Sequence, residues 1–415
     1  METEKKKVTK FINIGILDIR SAGDKDLGEV NMINVGHILH TPETFDLLKG
    51  GKRINVGQFV EASPMARVLM APTNFTNEYF SQQETALELL AFGPIIVDWE
   101  TTPEAIGKGL ARLDIFGGPL ICPRHLLGAL QSKIQHQDAE TIVFESASTR
   151  FAMGKLVLDE GYLDSLEDGS ELIVVGALKI PEVLPNDVLK QKIKRLYVKG
   201  RVTCHEENAS GIQSILGTAQ HKMKIIPAGY ALVEKPLVLN NLGLESLHAR
   251  KIYCTEWVQI ASEVTPNTLD NNLDALISDE RIYCPEGLKD IIVKKCDWLK
   301  TSVELYAGEL WVIDDARELP SYAFDHIEGV ATLVVFGELK LDPQIPPETL
   351  TERLVKVHNL GSIGCTPEQM GAIQSLLGVS EGRLVDSTKP PKEKEEEPDE
   401  DVVKEAYINA NYVSL

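Results

Sequence analysis

An internal duplication constrains the fold of this chain more than any other feature of its sequence. The segment 172–217 aligns without gaps on the segment 333–378, and 15 of the 46 aligned positions are identical. The shared residues are mostly glycine, leucine, proline and cysteine. They include Gly176 and Gly337, Pro185 and Pro346, Gly200 and Gly361, and Cys204 and Cys365. An unrelated pair of segments would match at only a few of these positions, so the chain is built from repeats.

The chain also repeats with a shorter period, which is about half of the offset between these two aligned segments. Five residues that each follow a short apolar run recur at nearly equal intervals: Thr41, Cys122, Cys204, Cys284 and Cys365. We therefore predict five tandem units of about 81 residues each. Their limits are 11–88, 89–171, 172–251, 252–332 and a truncated 333–386, after a charged lead at 1–10.

Each unit begins with a strand and a helix. Apolar residues alternate over residues 172–180, which predicts a strand. Pro185 then opens a stretch with Leu189 and Ile193 on one helical face. A second strand is expected at 196–204, and a second helix follows it and ends at Gly217.

Strands separated by helices of this length pair in parallel with right-handed crossovers, and coils this small bury their apolar faces only by stacking. The expected fold is therefore a right-handed α/β solenoid of strand-plus-helix coils with a parallel sheet. Over most of residues 11–385 this architecture resembles the leucine-rich-repeat class of solenoids. The resemblance implies strands on a concave side and helices on a convex side. The asparagine consensus of that class is not matched, because Gly200 and Gly361 stand in mid-strand instead.

Charge and cysteine content restrict the partners and the compartment. The 42 Lys and Arg residues against 62 Asp and Glu residues give a formal charge of -20, which disfavours nucleic acid and anionic membranes as partners. No apolar run has the length of a membrane-spanning helix, and the charged start does not resemble a signal peptide. Six cysteines are too sparse for a disulfide framework. We therefore expect a cytoplasmic protein with reduced thiols.

The recurrent glycines and cysteines each allow a chemical and a structural interpretation. A phosphate loop is disfavoured because Glu256 and Glu280 occupy the glycine positions in the fourth unit, so the glycines are expected where neighbouring coils lie close. The periodic cysteines could form a redox or metal array, but equivalent residues of a solenoid lie several coils apart. We predict buried space-filling thiols, with no metal and no cofactor.

No catalytic residue is predicted. The sequence holds no H-E-x-x-H, no GxSxG and no GxxxxGK[ST] pattern. A catalytic triad assembled in space from distant coils stays open as an alternative.

One face of the first strands is unusually apolar and is a candidate interaction surface. In an open horseshoe it would be exposed on the concave side, and a contiguous apolar stripe marks a binding site. The alternative is that both strand faces are covered, as in other parallel sheets. The candidate residues are Phe92, Val175, Tyr253, Trp257, Val334 and Phe336.

The C-terminal end has two parts. Residues 387–405 contain three prolines, eight acids and four lysines, which predicts an acidic disordered linker. Residues 406–415 again carry β-forming side chains, which is typical of a docking peptide, although a frayed terminus is the alternative. Such a peptide could cap a strand of its own chain or latch a neighbour. The candidate residues are Tyr407, Ile408, Tyr412, Val413 and Leu415.

Together these features favour a non-catalytic cytosolic repeat scaffold that binds protein. The expected partner is the protein itself, joined end to end in an oligomer or filament, because a solenoid exposes the apolar edges of its end coils. The alternative is a monomeric adaptor that binds a distinct partner on the concave strand face. An enzyme is the third class considered.

Overall fold

The computed structural model describes residues 6–23, 29–48, 52–217, 221–325, 329–388 and 402–415. The described chain is α/β, with many short strands in eight small sheets and short helices between them. Every registered strand pair is parallel. The α/β class and the parallel pairing are thus confirmed. Within the described residues no helix is both long and apolar enough to cross a bilayer.

The first sheet joins the two ends of the chain. It contains β1 (Lys6–Asp18), β2 (Glu29–His40), β3 (Arg53–Glu61) and β31 (Val402–Ser414), in the order β3-β2-β1-β31. Helix α1 (Pro42–Phe45) follows β2. The predicted lead at 1–10 therefore overlaps β1 from Lys6 onward.

A second group of strands forms two sheets. Its strands are β4 (Arg67–Leu69), β5 (Thr73–Phe75), β6 (Leu87–Ala91), β7 (Ile95–Val97), β8 (Leu110–Ile115), β9 (Leu120–Pro123), β10 (Ile134–Gln137) and β11 (Thr141–Phe144). The two sheets have the orders β10-β8-β6-β4 and β11-β9-β7-β5. The helices of this group are α2 (Asn77–Ser81), α3 (Pro103–Gly109) and α4 (Leu127–Gln131).

The third group is a single sheet. Its strands are β12 (Arg150–Val157), β13 (Ser170–Lys179), β14 (Ile193–His205) and β15 (His221–Ile226), paired in the order β12-β13-β14-β15. Its helices are α5 (Glu160–Asp164), α6 (Asn186–Lys192) and α7 (Glu206–Ile215). The strand, helix, strand and helix expected between residues 172 and 217 are all present, which confirms the sequence interpretation of that segment.

The fourth group again forms two sheets. Its strands are β16 (Ala231–Val233), β17 (Leu237–Leu239), β18 (Lys251–Cys254), β19 (Val258–Ile260), β20 (Ala275–Ser278), β21 (Arg281–Pro285) and β22 (Ser302–Tyr306). One sheet has the order β16-β18-β20 and the other the order β17-β19-β21-β22. The helices are α8 (Asn241–Glu245), α9 (Pro266–Asn272) and α10 (Lys289–Lys295).

The fifth group also has two sheets. Its strands are β23 (Glu309–Ile313), β24 (Ala316–Leu319), β25 (Ala331–Val335), β26 (Glu338–Leu341), β27 (Leu354–Asn359), β28 (Ser362–Cys365), β29 (Leu377–Ser380) and β30 (Arg383–Asp386). The sheets have the orders β23-β25-β27-β29 and β24-β26-β28-β30. The helices are α11 (Pro347–Arg353) and α12 (Pro367–Leu376). Strands β29 and β30 follow the second helix, and β30 ends at Asp386.

Four 3₁₀ turns complete the regular elements of the described chain, at Asp46–Leu48, Arg124–Leu126, Glu286–Leu288 and Ser321–Phe324. Several helices begin at a Thr-Pro pair, because the threonine side chain accepts a hydrogen bond from the third backbone N–H and proline fits the first helical position. Thr102, Thr265 and Thr366 are capping residues of this kind. These caps fix where the chain turns from strand to helix.

Ladder hydrogen bonds join described strands only within a group, and side chains pack between the groups. Ile121 and Phe144 of the second group pack with Ile173 of the third. Trp257 and Tyr283 of the fourth group contact Phe336 of the fifth. At these two contacts the strand face opposite the helices is covered by side chains of the neighbouring group.

The predicted acidic linker falls largely outside the description. Residues 389–401 are not among the described residues. Ser387 and Thr388 follow β30, and residues 402–405 belong to β31.

Candidate functional site

The C-terminal strand lies on β1 of its own chain. The pairing is parallel and runs from Lys6 with Val402 to Asp18 with Ser414. It continues past the strand, where the backbone N–H of Leu415 donates to the carbonyl oxygen of Asp18 at 3.0 Å. Within this chain the tail peptide thus pairs with the N-terminal strand, a contact that both roles left open by the sequence would use.

Apolar side chains of β31 join the core of the first sheet. The ring of Tyr407 stacks on that of Phe11, with centroids 5.3 Å apart and planes 12° from parallel. Val413 is buried with Leu17, and Leu415 packs at the edge of the same cluster. Ile408 differs from the other candidates because 56% of it is exposed. Its side chain faces solvent and contributes little to this docking.

A polar network ties β31 to the segment that leads into β4. The Tyr412 hydroxyl donates to Oδ2 of Asp18 at 2.7 Å. The Arg20 guanidinium donates to both oxygens of the same carboxylate, at 2.8 and 2.6 Å. It also donates to the backbone carbonyls of Ser63 and Ala66, at 2.7 Å each. Asp18 is buried, so these partners replace the water that its charge loses.

An asparagine ladder runs through all four strands of the sheet. The Nδ2 of Asn55 donates to Oδ1 of Asn34, Asn34 donates to Asn13, and Asn13 donates to Asn409, at 3.0, 2.8 and 2.8 Å. All four have φ between 52° and 56°, a left-handed conformation that asparagine tolerates better than most residues. Asn409 therefore forms the last rung of this ladder.

The sequence interpretation missed the motif that predicts this pairing. The pattern Ile-Asn-x-Gly occurs at 12–15, 33–36 and 54–57, so it recurs with a short period. Residues 408–411 read Ile-Asn-Ala-Asn, a fourth copy in which asparagine replaces the glycine. The long period of the repeat units does not reveal this short one. The motif identifies β31 as a strand of the first sheet from sequence alone.

The recurrent glycines are structural, as predicted. A Cβ built on Gly176 or Gly200 would collide with the carbonyl oxygen of the preceding strand's glycine, Gly154 or Gly176. The φ values of Gly176 and Gly200, +140° and +146°, also favour glycine. These positions mark close approach of neighbouring strands, and a phosphate-loop role has no support.

The apolar strand face is not an exposed surface. Phe92 stacks on Phe116 at 5.1 Å, between the first and second groups, and Val175 packs in the cluster between the second and third. Val334 is fully buried, and Trp257 stacks on Phe336 at 5.8 Å. Of the two alternatives left by the sequence, an exposed concave face and a covered one, this packing supports the covered one.

Tyr253, the remaining candidate on this face, is held by a polar contact. Its hydroxyl donates to Oδ1 of Asp279 at 2.5 Å. Desolvation and the neighbouring carboxylate both raise the pKa of this tyrosine. The hydroxyl is therefore engaged within its own chain.

The periodic thiols are buried. Cys122, Cys204, Cys284 and Cys365 are all free and have no exposed surface. Burial raises the pKa of the Cys122 and Cys284 thiols to about 12 and that of the Cys204 and Cys365 thiols to about 11. They are therefore protonated and unreactive at neutral pH, as expected for space-filling residues.

The Cys204-His205-Glu206-Glu207 segment does not gather as a metal site. The Nε2 of His205 lies 3.0 Å from the carbonyl oxygen of Pro181. Across the described residues, no three His, Cys, Asp or Glu side chains come together as a metal ion would require.

A tyrosine and a histidine form a buried ring contact between the fourth and fifth groups. The rings of Tyr283 and His358 lie 5.9 Å apart, and both residues are fully buried. Desolvation lowers the pKa of His358 to about 4, despite the opposing effect of Glu304. The histidine is therefore neutral at physiological pH, and a substrate could reach neither ring without separating the fourth and fifth groups.

Comparison with models of known protein families, with curated proteins and with solved structures found no match. The candidate site therefore rests on the contacts of β31 alone.

The thiol interpretation predicts the effect of one substitution. Cys204→Ser is expected to lower the free energy of unfolding by about 1 to 3 kcal/mol, because a hydroxyl replaces a buried thiol. Cys204→Ala is the control, since it removes the sulfur without adding a polar group. Urea denaturation of the three proteins measures the difference. Equal stability of the Ser variant and the wild type would contradict the burial of this side chain.

The Tyr412–Asp18 contact predicts a pH-dependent effect. Burial raises the pKa of Asp18, but hydrogen bonds from Arg20 and Tyr412 outweigh it and hold the pKa below its ordinary value of 3.8. The stabilisation is thus present above pH 3.8 and is lost as the pH falls through the folded-state pKa.

Tyr412→Phe should therefore cost about 1 kcal/mol at neutral pH, and the cost should shrink in acid below pH 3.8. Urea denaturation of variant and wild type at stepped pH measures this. Tyr407→Phe, which keeps the stacking on Phe11, is the control and should show no such trend. A cost that stays constant deep into the acid range would argue against the contact with Asp18.

Proposed function

We propose that the chain is a non-catalytic cytosolic repeat scaffold that binds protein, and that its partner is a second copy of itself. The copies are joined end to end by exchange of the C-terminal strand. The docking of β31 on β1 is the observation that carries this proposal, because a strand from the far end of the sequence completes the first sheet. When such a strand docks on another copy, the same contacts form between chains.

The proposal includes the repeat architecture predicted from sequence, five units of about 81 residues in a right-handed solenoid that resembles the leucine-rich-repeat class. The second to fifth groups begin at Arg67, Arg150, Ala231 and Glu309. These starts are nearly evenly spaced, which supports the period. The six free cysteines support a reducing compartment such as the cytosol.

Exchange of β31 between copies can produce either an open filament or a closed dimer. A strand passed from each copy to the next leaves one open β1 edge and one unplaced β31 at the two ends, so growth continues as a filament. Two copies that exchange strands reciprocally form a closed dimer. In either assembly the acidic segment 389–401 connects β31 to the body of its own chain.

A mixing experiment tests the exchange. Ile12 and Ile408 are register partners, and Ile408 is exposed, so cysteines placed there can form a disulfide. The native thiols are buried and will not compete. One preparation carries Ile12→Cys and the other Ile408→Cys. After mixing, incubation under native conditions and mild oxidation, a covalent heterodimer linked between positions 12 and 408 is expected.

The double variant Ile12→Cys/Ile408→Cys is the control for docking within one chain. It should give an intramolecular disulfide at high dilution. Mass spectrometry of the linked peptides and non-reducing electrophoresis distinguish the two products. If the double variant links internally but the mixed single variants never link to each other, the strand stays with its own chain and the proposal is wrong.

A further inference from the structure

The outer edge of β31 ends the first sheet. Among the described strands β31 pairs with β1 alone, and the edge facing away from β1 pairs with none of them. An unpaired edge is a template for a further strand, and proteins commonly block such edges.

The glycines of this sheet show in which direction a side chain would point. A Cβ on Gly15 would lie 2.6 Å from the carbonyl oxygen of Asn411, and one on Gly36 would lie 2.5 Å from that of Gly15. Gly57 is placed against Gly36 in the same way. At this position of every strand, the Cα–Cβ direction points to the neighbour on the β31 side.

Asn411 occupies the glycine position in β31. Its neighbours Ala410 and Tyr412 pair with Ile14 and Ile16, so Asn411 stands opposite Gly15. Asn411 is exposed, and its Cβ points beyond the sheet, where the carbonyl oxygen of a further strand would lie. A further strand could therefore not approach to ladder distance without a collision.

The fifth group shows the same arrangement. A Cβ on Gly361 would collide with the carbonyl of Gly337, and one on Gly337 with that of Asp315. The end position is held by Asp315, a residue with a side chain. In the third group the end position is Gly154, and a Cβ built there meets no described atom within 4 Å. An end strand thus has room for a side chain that inner strands exclude.

We propose that Asn411 is a stop residue that prevents β31 from accepting a further strand, and that the strand it excludes is β3 of a second copy of this chain. The asparagine ladder supports this occupant. Each asparagine donates its Nδ2 to the next rung, so the ladder ends with the Nδ2 of Asn409 and begins with the Oδ1 of Asn55. The β3 edge of one copy would offer the acceptor that the β31 edge of another copy needs. Asn411 blocks this stacking, which is distinct from the strand exchange proposed above.

The test removes strand exchange first. In the oxidised Ile12→Cys/Ile408→Cys chain, β31 is held on its own β1. In this background Asn411→Gly removes the Cβ, whereas Asn411→Ala removes the amide and keeps the Cβ. Sedimentation velocity over a range of concentrations measures the mass of each.

The Asn411→Gly chain is expected to associate, with an apparent mass about twofold or more above the monomer at tens of micromolar. The locked parent and the Asn411→Ala chain are expected to remain monomeric. Adding Asn55→Gly to the Asn411→Gly chain removes the acceptor that the Nδ2 of Asn409 in the other copy would use, without straining the positive φ of this rung, so it should weaken the association.

Two results would overturn the proposal. Either the locked Asn411→Gly chain sediments like its parent, or the Asn411→Ala chain associates as strongly as the Gly chain. Neither result depends on whether strands exchange, because the disulfide prevents exchange in every protein compared. Circular dichroism of each locked chain confirms that a monomeric result reflects a folded protein.

Discussion

A chain that lacks residues 402–415 is expected to associate far more strongly than the oxidised Ile12→Cys/Ile408→Cys chain, in which β31 is held on its own β1. Deletion removes β31 and leaves the edge of β1, 13 residues long, without a partner. The new end rung is Gly15, which has no Cβ to block a further strand, and Phe11 loses the ring that covers it. An apparent mass about twofold or more above the monomer is expected at tens of micromolar.

Sedimentation velocity of the deleted chain and the oxidised Ile12→Cys/Ile408→Cys chain, at matched concentrations, measures this effect. A synthetic peptide of residues 402–415 should return the deleted chain to the monomer by refilling the edge. The same peptide with Asn409→Pro is the control, because proline cannot adopt the positive φ of this rung. If the deleted chain sediments like the locked chain, an open β1 edge does not promote association, and the prediction is wrong.

The largest stability effect of a single residue is expected in the glycine ladder of the third group. Gly200→Ala places a methyl group against the carbonyl of Gly176 and forces alanine to a φ of +146°. Strain and overpacking together should lower the free energy of unfolding by about 3 kcal/mol or more. Urea denaturation measures the change.

Gly154→Ala is the matched control in the same ladder. Its φ is also positive, +92°, but no described atom lies within 4 Å of the added Cβ. It should therefore cost only the backbone strain, about 1 to 2 kcal/mol. Gly371→Ala, in helix α12 with open space around it, should be neutral or stabilising by about 0.5 to 1 kcal/mol. Equal costs at positions 154 and 200 would show that close approach of the strands is not what requires glycine.

The sequence alone determined the local elements of the repeats. The alternation over residues 172–180 and the apolar Leu189 after Pro185 were sufficient to place β13 and α6, because burial of one face imposes its period on the side chains. Ile193, predicted on the same helical face as Leu189, instead begins β14. The glycine and cysteine positions were also interpreted correctly. In a repeat, the same close approach and the same small buried volume recur at each copy.

The sequence also carries a short-period motif that the 81-residue units do not reveal. The Ile-Asn-x-Gly motif at 12–15, 33–36 and 54–57 recurs at 408–411. A strand that completes a sheet must satisfy the same backbone conformation as its neighbours, so it repeats their residues. Sequence could therefore have assigned β31 to the first sheet.

Only the tertiary structure decided which surfaces are exposed. The sequence did not decide whether the apolar strand face that carries Val334 and Trp257 is exposed or covered. In the structure, neighbouring sheets pack against this face. Tyr412, Asp18 and Arg20 meet because β31 returns to β1 from the far end of the chain. The spacing of apolar residues along a strand or helix indicates which side of it is buried within its own repeat, because the residues that form that pattern are close in sequence. Which more distant element covers the other side depends on the path of the whole chain, and no local pattern records it.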